Sequence, residues 1–339
     1  MAGAPAGGAE LFFERLTVAL QRAGHSVLAA IRRDAERAAR LRAGGVEVAE
    51  LRFGGPADLL TGRQLHAALT RFRPRVAVAW MNRAARFVRP GEWILAGRLG
   101  GYYDLSYYRR CDHLIGNTRG IVRWIEAQGW PAPRVHYLPN FATDFAGATP
   151  VDRATLGVPT GAKLVLALGR LHRNKAFDVL IRAMPRVPGA HAVIAGEGPE
   201  RTALEMLARS EGVADRVHLI GWRQDTGALL AAADVLACPS RHEPLGNVVI
   251  EAWSARRPVV AAAADGPAEL ITGGEGLLAP PEDAAALGEA LVAVIGDAAF
   301  ASDLAARGRA RFEREFAEAP VLAQWCGFLA AVEKQSCAA

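Results

Sequence analysis

Lysine is almost missing from this chain. Its 339 residues include only Lys163, Lys175 and Lys334, and arginine supplies nearly all of the positive charge. A genome rich in G and C produces the same bias, so arginine abundance alone identifies no partner. Cysteine is scarce as well. Cys111, Cys238, Cys326 and Cys337 show no paired spacing, which argues against a zinc site or a disulfide framework and fits reduced thiols in a cytosolic protein. No apolar run reaches the roughly 18 residues that a membrane-crossing helix needs. Met1–Gly8 has neither the basic start nor the apolar core of a secretory signal. The eight histidines have no ligand spacing, so no metal site is expected.

What remains is a globular composition, 51% hydrophobic and 22% charged, in a chain long enough for two full domains. The charge is uneven. Residues 1–145 hold 21 Arg against 12 Asp and Glu, a net of +9, and the rest of the chain carries −4. The first half is therefore expected to meet something anionic, such as a lipid headgroup or membrane surface. Nucleic acid is not expected, because the arginines are scattered and no binding motif accompanies them.

Short apolar runs alternate with amphipathic stretches, the pattern of α/β domains with parallel sheets. Strands are predicted at Ser26–Ile31, Val46–Phe53, Val76–Trp80, Trp93–Leu99, His113–Asn117 and Val135–Leu138. Helices are predicted at Ala9–Ala23, Leu59–Arg71 and Arg119–Gln128. Pro139–Pro159, rich in Pro, Gly, Ala and Thr, reads as a linker. A second series has strands at Leu164–Leu168, Ala192–Ala195, Val217–Ile220, Val235–Cys238, Val259–Ala263 and Gly276–Leu278, with helices between them. Ala301–Glu333 reads as wholly helical. The expected organisation is a domain over 1–145, a second over 146–310 and a helical segment over 311–339. Two doubly wound domains would face a cleft, with ligands at the carboxyl ends of the strands. A Rossmann-like sheet also needs a strand ahead of Gly7-Gly8, so a strand upstream of Met1 is expected.

Two motifs carry chemistry. In Arg241-His-Glu-Pro-Leu-Gly-Asn-Val-Val-Ile-Glu251, Glu243 falls in a turn after a strand, and Glu251 about one turn into the next helix. Gly246, Asn247 and Val248 sit at the helix start, where free N–H groups and the dipole favour an anion. Gly169-Arg170-Leu-His-Arg-Asn-Lys175 follows another strand, and Arg170 with Lys175 suits a diphosphate. Read singly, each motif also fits solvated charges on a loop and helix.

Together with Gly7-Gly-Ala-Glu10, Tyr137-Leu-Pro-Asn140, Gly196-Glu-Gly-Pro199, Arg257-Pro-Val-Val260 and Gly266-Pro-Ala-Glu269, they make the chain resemble glycosyltransferase family four. That resemblance implies a GT-B fold: two Rossmann-like domains, with a C-terminal helix crossing back to the first. It implies a retaining hexosyltransferase using a nucleotide diphosphate sugar, UDP-linked or GDP-mannose, with no metal or other cofactor. Arg170, Lys175 and Glu243 would be catalytic. Gly8, Gly169, Gly246, Asn247, Val248 and Glu251 would bind the donor, with Glu251 on the ribose. Base recognition would fall near Gly221–Arg223.

The first half would bind the acceptor. Many relatives carry His-Gly where this chain has Gly100-Gly101, so the role of that histidine does not transfer. Arg98, Tyr102, Tyr103 and Asp104 are the acceptor candidates, being aromatic and charged groups suited to sugar rings and phosphates. Arg98–Asn117 looks like the corresponding segment of bacterial lipopolysaccharide core sugar transferases. The expected acceptor is a glycan or lipid-linked sugar, met in the cytoplasm at the inner face of the membrane. A GT-B sugar-nucleotide epimerase and a non-catalytic nucleotide-binding module remain as alternatives.

Overall fold

A computed structural model describes residues 1–3, 7–55 and 58–337 of the chain. In chain order the elements are α1 (Gly8–Arg22), β1 (Leu28–Arg32), α2 (Ala35–Ala43), β2 (Glu47–Leu51), α3 (Leu59–Phe72), β3 (Val76–Trp80), α4 (Met81–Phe87), β4 (Ile94–Leu99), β5 (His113–Gly116), α5 (Arg119–Ala127) and β6 (Val135–Tyr137). They continue with β7 (Lys163–Leu168), α6 (Phe177–Ala183), β8 (Ala190–Ala195), α7 (Arg201–Ser210), β9 (Val217–Leu219), α8 (Thr226–Ala232), β10 (Val235–Cys238), α9 (Asn247–Ser254), β11 (Val259–Ala262), α10 (Asp265–Leu270), β12 (Leu277–Ala279), α11 (Ala284–Gly296), α12 (Ala298–Arg311) and α13 (Glu318–Cys337). All strand pairs are parallel. The chain divides into two compact units, Met1–Phe141 with the segment from Glu318, and Ala142–Ala317.

The first unit contains a four-stranded sheet, β3-β4-β5-β6, and a separate pair, β1-β2. Helix α1 forms because Phe12, Phe13, Leu16 and Ala19 recur on one face, and all four are buried. Helix α13 presents Val321, Trp325, Phe328 and Val332 at three- and four-residue spacing to the same core, where Trp325 stacks on Trp80 with ring centroids 6.3 Å apart. Helix α2 escapes the apolar pattern because only Ala38 and Leu41 among its hydrophobic residues are buried. It is specified instead by Asp34, whose carboxylate accepts from the Arg37 amide at 3.0 Å. The buried Arg37 guanidinium meets Glu14 at 2.8 Å.

The second unit has a six-stranded sheet in the order β12-β11-β10-β7-β8-β9. Its central strands β7, β10 and β11 are almost continuously buried, as expected of a parallel sheet covered on both faces. The long terminal helix read from the sequence is interrupted. Phe312–Phe316 forms a π turn, and Ala317 is extended at φ −71° and ψ 160°. Phe312 and Phe316 are both drawn into the interior. The wider turn lets both rings reach the core on one side, with Phe316 6.2 Å from Trp253.

Candidate active site

In the second unit, β8 and β9 extend the sheet on one side of β7, while β10, β11 and β12 extend it on the other. The strand order therefore reverses between β7 and β10. Loops leaving the carboxyl ends of such a pair diverge and leave room for a ligand. The loops here are the two sequence motifs.

Both loops are seated by backbone against backbone. Gly169 has φ +145°, a region that L residues rarely enter. A Cβ on Gly196 would lie 1.8 Å from the Gly169 carbonyl oxygen, and one on Gly198 would lie 2.3 Å from that of Leu171. The Gly196-Glu-Gly-Pro199 motif is thus the seat of the β7 loop, and the Leu171 amide donates to the Glu197 carbonyl at 2.9 Å. Across the site, the Gly266 amide donates to the Glu243 carbonyl at 2.8 Å. A Cβ on Gly266 would come within 2.3 Å of the Leu245 oxygen.

Lys175 follows a short turn in which the His172 imidazole accepts from the Asn174 amide at 3.2 Å. Its ammonium forms an ion pair with Glu243. The Ser240 hydroxyl donates to the same carboxylate oxygen at 3.1 Å. The two charged side chains are only 24% and 12% exposed, so solvent screens the pair weakly. Burial works against the Lys175 ammonium. Glu243, followed by Cys238 and Glu251, outweighs it and holds the pKa above the ordinary lysine value. Gly246, in the left-handed region at φ +88°, is the N-cap of α9 and contributes no capping side chain. The result is a half-buried cation paired to the loop that leads into the N-terminus of α9, an arrangement suited to phosphate groups.

Arg170 is exposed at the end of β7 and forms no ion pair among the described residues. Gly169, Lys175, Glu243, Gly246, Asn247 and Val248 all lie in the two loops or at the start of α9, and Glu251 sits half-buried farther along α9. Gly221, at φ +78°, bridges to Gly196, and Arg223 pairs with Asp225. His242 is exposed. Among the described residues, no group of three or more His, Cys, Asp or Glu side chains is placed to hold a metal ion. The described cysteines Cys111, Cys238 and Cys326 are unpaired, whereas the Cys337 side chain lies outside the described residues.

Sequence reasoning quoted Arg241 in its motif but gave it no role. Its guanidinium holds both Asp178 oxygens at 2.7 Å, the Arg173 carbonyl at 2.9 Å and Glu282 at 3.0 Å. Its own amide donates to the Asn174 carbonyl at 2.9 Å. Arg241 therefore ties the β10–α9 loop to α6 and to the turn carrying Lys175. The signal was present, because Asp178 falls in the first turn of the helix after the β7 loop, but no spacing rule links residues so far apart.

In the first unit, Gly8 is the first residue of α1. Arg98 is wholly buried at the end of β4, with its guanidinium 4.5 Å from the Trp80 ring centroid and 5.0 Å from that of Phe12. It donates to the Asn140 amide oxygen. Burial pulls its pKa down to about 9, partly opposed by Tyr103 and Tyr108. Tyr103 is half-buried nearby. Tyr102 is 40% exposed and packs edge-on against Trp124. The Asp104 carboxylate is occupied locally, accepting from the Ser106 amide at 2.8 Å. The four acceptor candidates thus separate into the buried Arg98 with the half-buried Tyr103 near it, and two surface groups.

Residues 162–297 match the family model described as Glycosyl transferases group 1. The chain is 35% identical over 334 residues to the lipopolysaccharide core biosynthesis glycosyltransferase LpsE of Rhizobium meliloti, covering 96% of each chain. It is 33% identical to LpsD of the same organism, covering 92% of each. Among solved structures, Anabaena HepE in complex with UDP and glucose superposes with a TM-score of 0.81 at 22% identity, over 97% of both chains. The lipopolysaccharide biosynthesis glycosyltransferase WaaG gives 0.71 at 20%, over 92% of this chain and 93% of that one. With two Rossmann-like units of the GT-B fold and a strand-order reversal occupied by its two signature loops, the chain belongs to the group 1 glycosyltransferases.

Proposed function

We propose that the protein transfers a hexose, with retention and without a metal, from UDP-sugar or GDP-mannose to a glycan or lipid-linked acceptor of the lipopolysaccharide core or a related surface polysaccharide. The observation that carries the reading is the Lys175–Glu243 pair in the loops that lead into α6 and into the glycine-capped start of α9. The names of LpsE and LpsD support the pathway, and the UDP bound to HepE supports the donor class.

Negative charge builds on the leaving diphosphate as the anomeric bond breaks. Lys175 and Arg170 stabilise it where it develops, together with the N–H groups opening α9. Glu243 and Ser240 keep the ammonium aimed into the site. The acceptor attacks from the face the phosphate leaves, and a phosphate oxygen takes its proton, so no protein base is required. Glu251 accepts hydrogen bonds from the ribose. Arg98, Tyr103 and Tyr102 belong to acceptor binding in the first unit. The acceptor is met on the cytoplasmic face of the membrane, to which the arginine-rich first unit docks peripherally.

The test is incubation with labelled UDP- and GDP-sugars, with and without truncated lipopolysaccharide core, in the presence of EDTA. The expected result is acceptor-dependent transfer, with the donor's anomeric configuration kept in the product. An inverted linkage, or activity abolished by EDTA and restored by a divalent ion, overturns the mechanism. Isomerised free sugar nucleotide marks an epimerase, and binding without turnover marks a non-catalytic module.

A further inference from the structure

Arg257-Pro-Val-Val260 takes no part in the candidate active site. Pro258 directly precedes β11, as Asp234 precedes β10. Both therefore lie at the amino ends of the strands, whereas the donor loops leave the carboxyl ends. The four residues of β10 put roughly 13 Å between the two edges, at about 3.3 Å per residue. On the far edge, within the second unit, is a cavity of about 500 Å³. Arg256, Arg257 and Arg309 line one part of it, and Ala301, Ala305 and Ala310 of α12 line another.

The arginines differ in their partners. Arg309 holds both Asp144 oxygens at 2.6 and 2.7 Å and Glu313 at 2.6 Å. The Asp234 carboxylate is taken by Arg153 at 3.1 Å, Lys163 at 3.7 Å and the Leu164 amide at 2.8 Å. Arg256 and Arg257 form no ion pair or side-chain hydrogen bond among the described residues, and the Arg257 Nε is buried without a partner. Asp144 senses Arg256 only at a distance. Burial pulls the Arg257 pKa down, Asp234 opposes this, and Arg153 adds to it. Five cations thus surround three carboxylates, a surplus of two positive charges. Arg256 also sits at φ +56°, in the left-handed region that disfavours L side chains. Glycine would relieve that turn but would bring no charge.

We propose that this cavity binds the phosphate group of a small soluble phosphate monoester, at an anion site on the edge of the sheet away from the donor. A monoester carries about two negative charges at neutral pH, which matches the surplus. Arg256 and Arg257 donate to its oxygens, as guanidinium groups do to phosphate. A carboxylate would cancel only half of the surplus. The alanine methyls of α12 and the Ser302 hydroxyl leave space for a sugar-sized body. A membrane surface fits poorly, because the second half of the chain carries −4 and offers no broad basic face.

The test is hydrogen exchange of the 339-residue chain with a hexose 6-phosphate, inorganic phosphate or vesicles containing phosphatidic acid. With the hexose phosphate at ten times its Kd, local opening at residues 253–258 and 301–313 should slow about tenfold. An Arg256→Gly, Arg257→Gln variant should lose this slowing and keep the parent's response to nucleoside diphosphates. It should also melt no lower than the parent, because glycine accepts the left-handed turn. Phosphate can enter the donor loops too, so Lys175→Met is run alongside and should keep the slowing. No slowing in the parent, its loss in Lys175→Met, or its persistence in the double variant overturns the proposal. Inorganic phosphate that binds as tightly as the ester overturns the ester in favour of the free ion. Vesicles that slow exchange where the soluble ester does not overturn the choice of a soluble ligand. A double variant that fails to fold contradicts the strain argument, and the exchange of the parent and Lys175→Met then decides the site. None of these outcomes depends on transferase activity.

Discussion

Replacing Lys175 with methionine keeps the stem and removes the charge. Two effects follow, and they can be measured separately. Glu243 loses its ion-pair partner and, among the described residues, keeps the Ser240 hydroxyl at 3.1 Å, in a position 12% exposed. A fully buried orphan charge costs about 3–5 kcal/mol. Because the site is partly open to water, the cost here should be nearer 1–3 kcal/mol. A Lys175→Met, Glu243→Gln double variant should recover part of it, because the surviving partner is then neutral. The catalytic effect is distinct. Deleting one donor that acts on charge developing in the transition state lowers kcat by about 10²–10³, whereas affinity for the product nucleoside diphosphate should fall less. The assay is donor turnover under saturating acceptor, with thermal denaturation of the single and double variants in parallel. A folded Lys175→Met protein with kcat within twofold of the parent refutes the role of Lys175. A double variant no more stable than Lys175→Met shows that Glu243 is not left unpaired.

Glu251→Gln should weaken nucleotide binding by about 1.5–3 kcal/mol. It should also erase discrimination between ribose and 2-deoxyribose donors, and a variant that still discriminates removes Glu251 from the ribose. The Met1 amino group is lowered to about 5 by burial and, secondarily, by Arg37. Between pH 5 and 8 the unfolded chain therefore binds a proton that the folded chain does not, and stability should rise with pH across that window. Acetylating Met1 should flatten this part of the denaturation profile, and an identical slope after acetylation contradicts the buried amine. The arginine-rich first unit should pellet with anionic vesicles and not neutral ones, each contact adding about 1 kcal/mol. High salt should release it as the screening length shortens below roughly 8 Å, and equal pelleting with both lipids speaks for a soluble acceptor.

Sequence reached the second unit more fully than the first because its signals are local. Strand, glycine turn and helix start follow one another within a dozen residues at both Gly169 and Gly246, so the loops announce their own geometry. The first unit hides more. Helix α2 was missed because its arginines mask a narrow apolar face. Helix α4 was missed because it starts abruptly at Met81, whose φ of +61° breaks the pattern directly after a strand. The π turn at Phe312–Phe316 has no composition of its own and exists only because the core accepts both rings. Asp104 is a short-range cap whose Asp-x-Ser spacing could have been read, whereas the burial of Arg98 under two aromatic rings depends on helix packing that no local pattern encodes.

The Arg241 contacts have a thermodynamic consequence. One guanidinium reaches α6, the turn before it and Glu282 while its own backbone is bonded across to Asn174. The two loops are thereby shaped before any nucleotide arrives. Preorganised loops lose little configurational freedom on binding, so the entropy lost is mainly that of the ligand's own rotors. Calorimetry of nucleotide binding to the parent should therefore show a modest entropic penalty. Cutting the brace with Arg241→Met should enlarge that penalty and leave the binding enthalpy nearly intact.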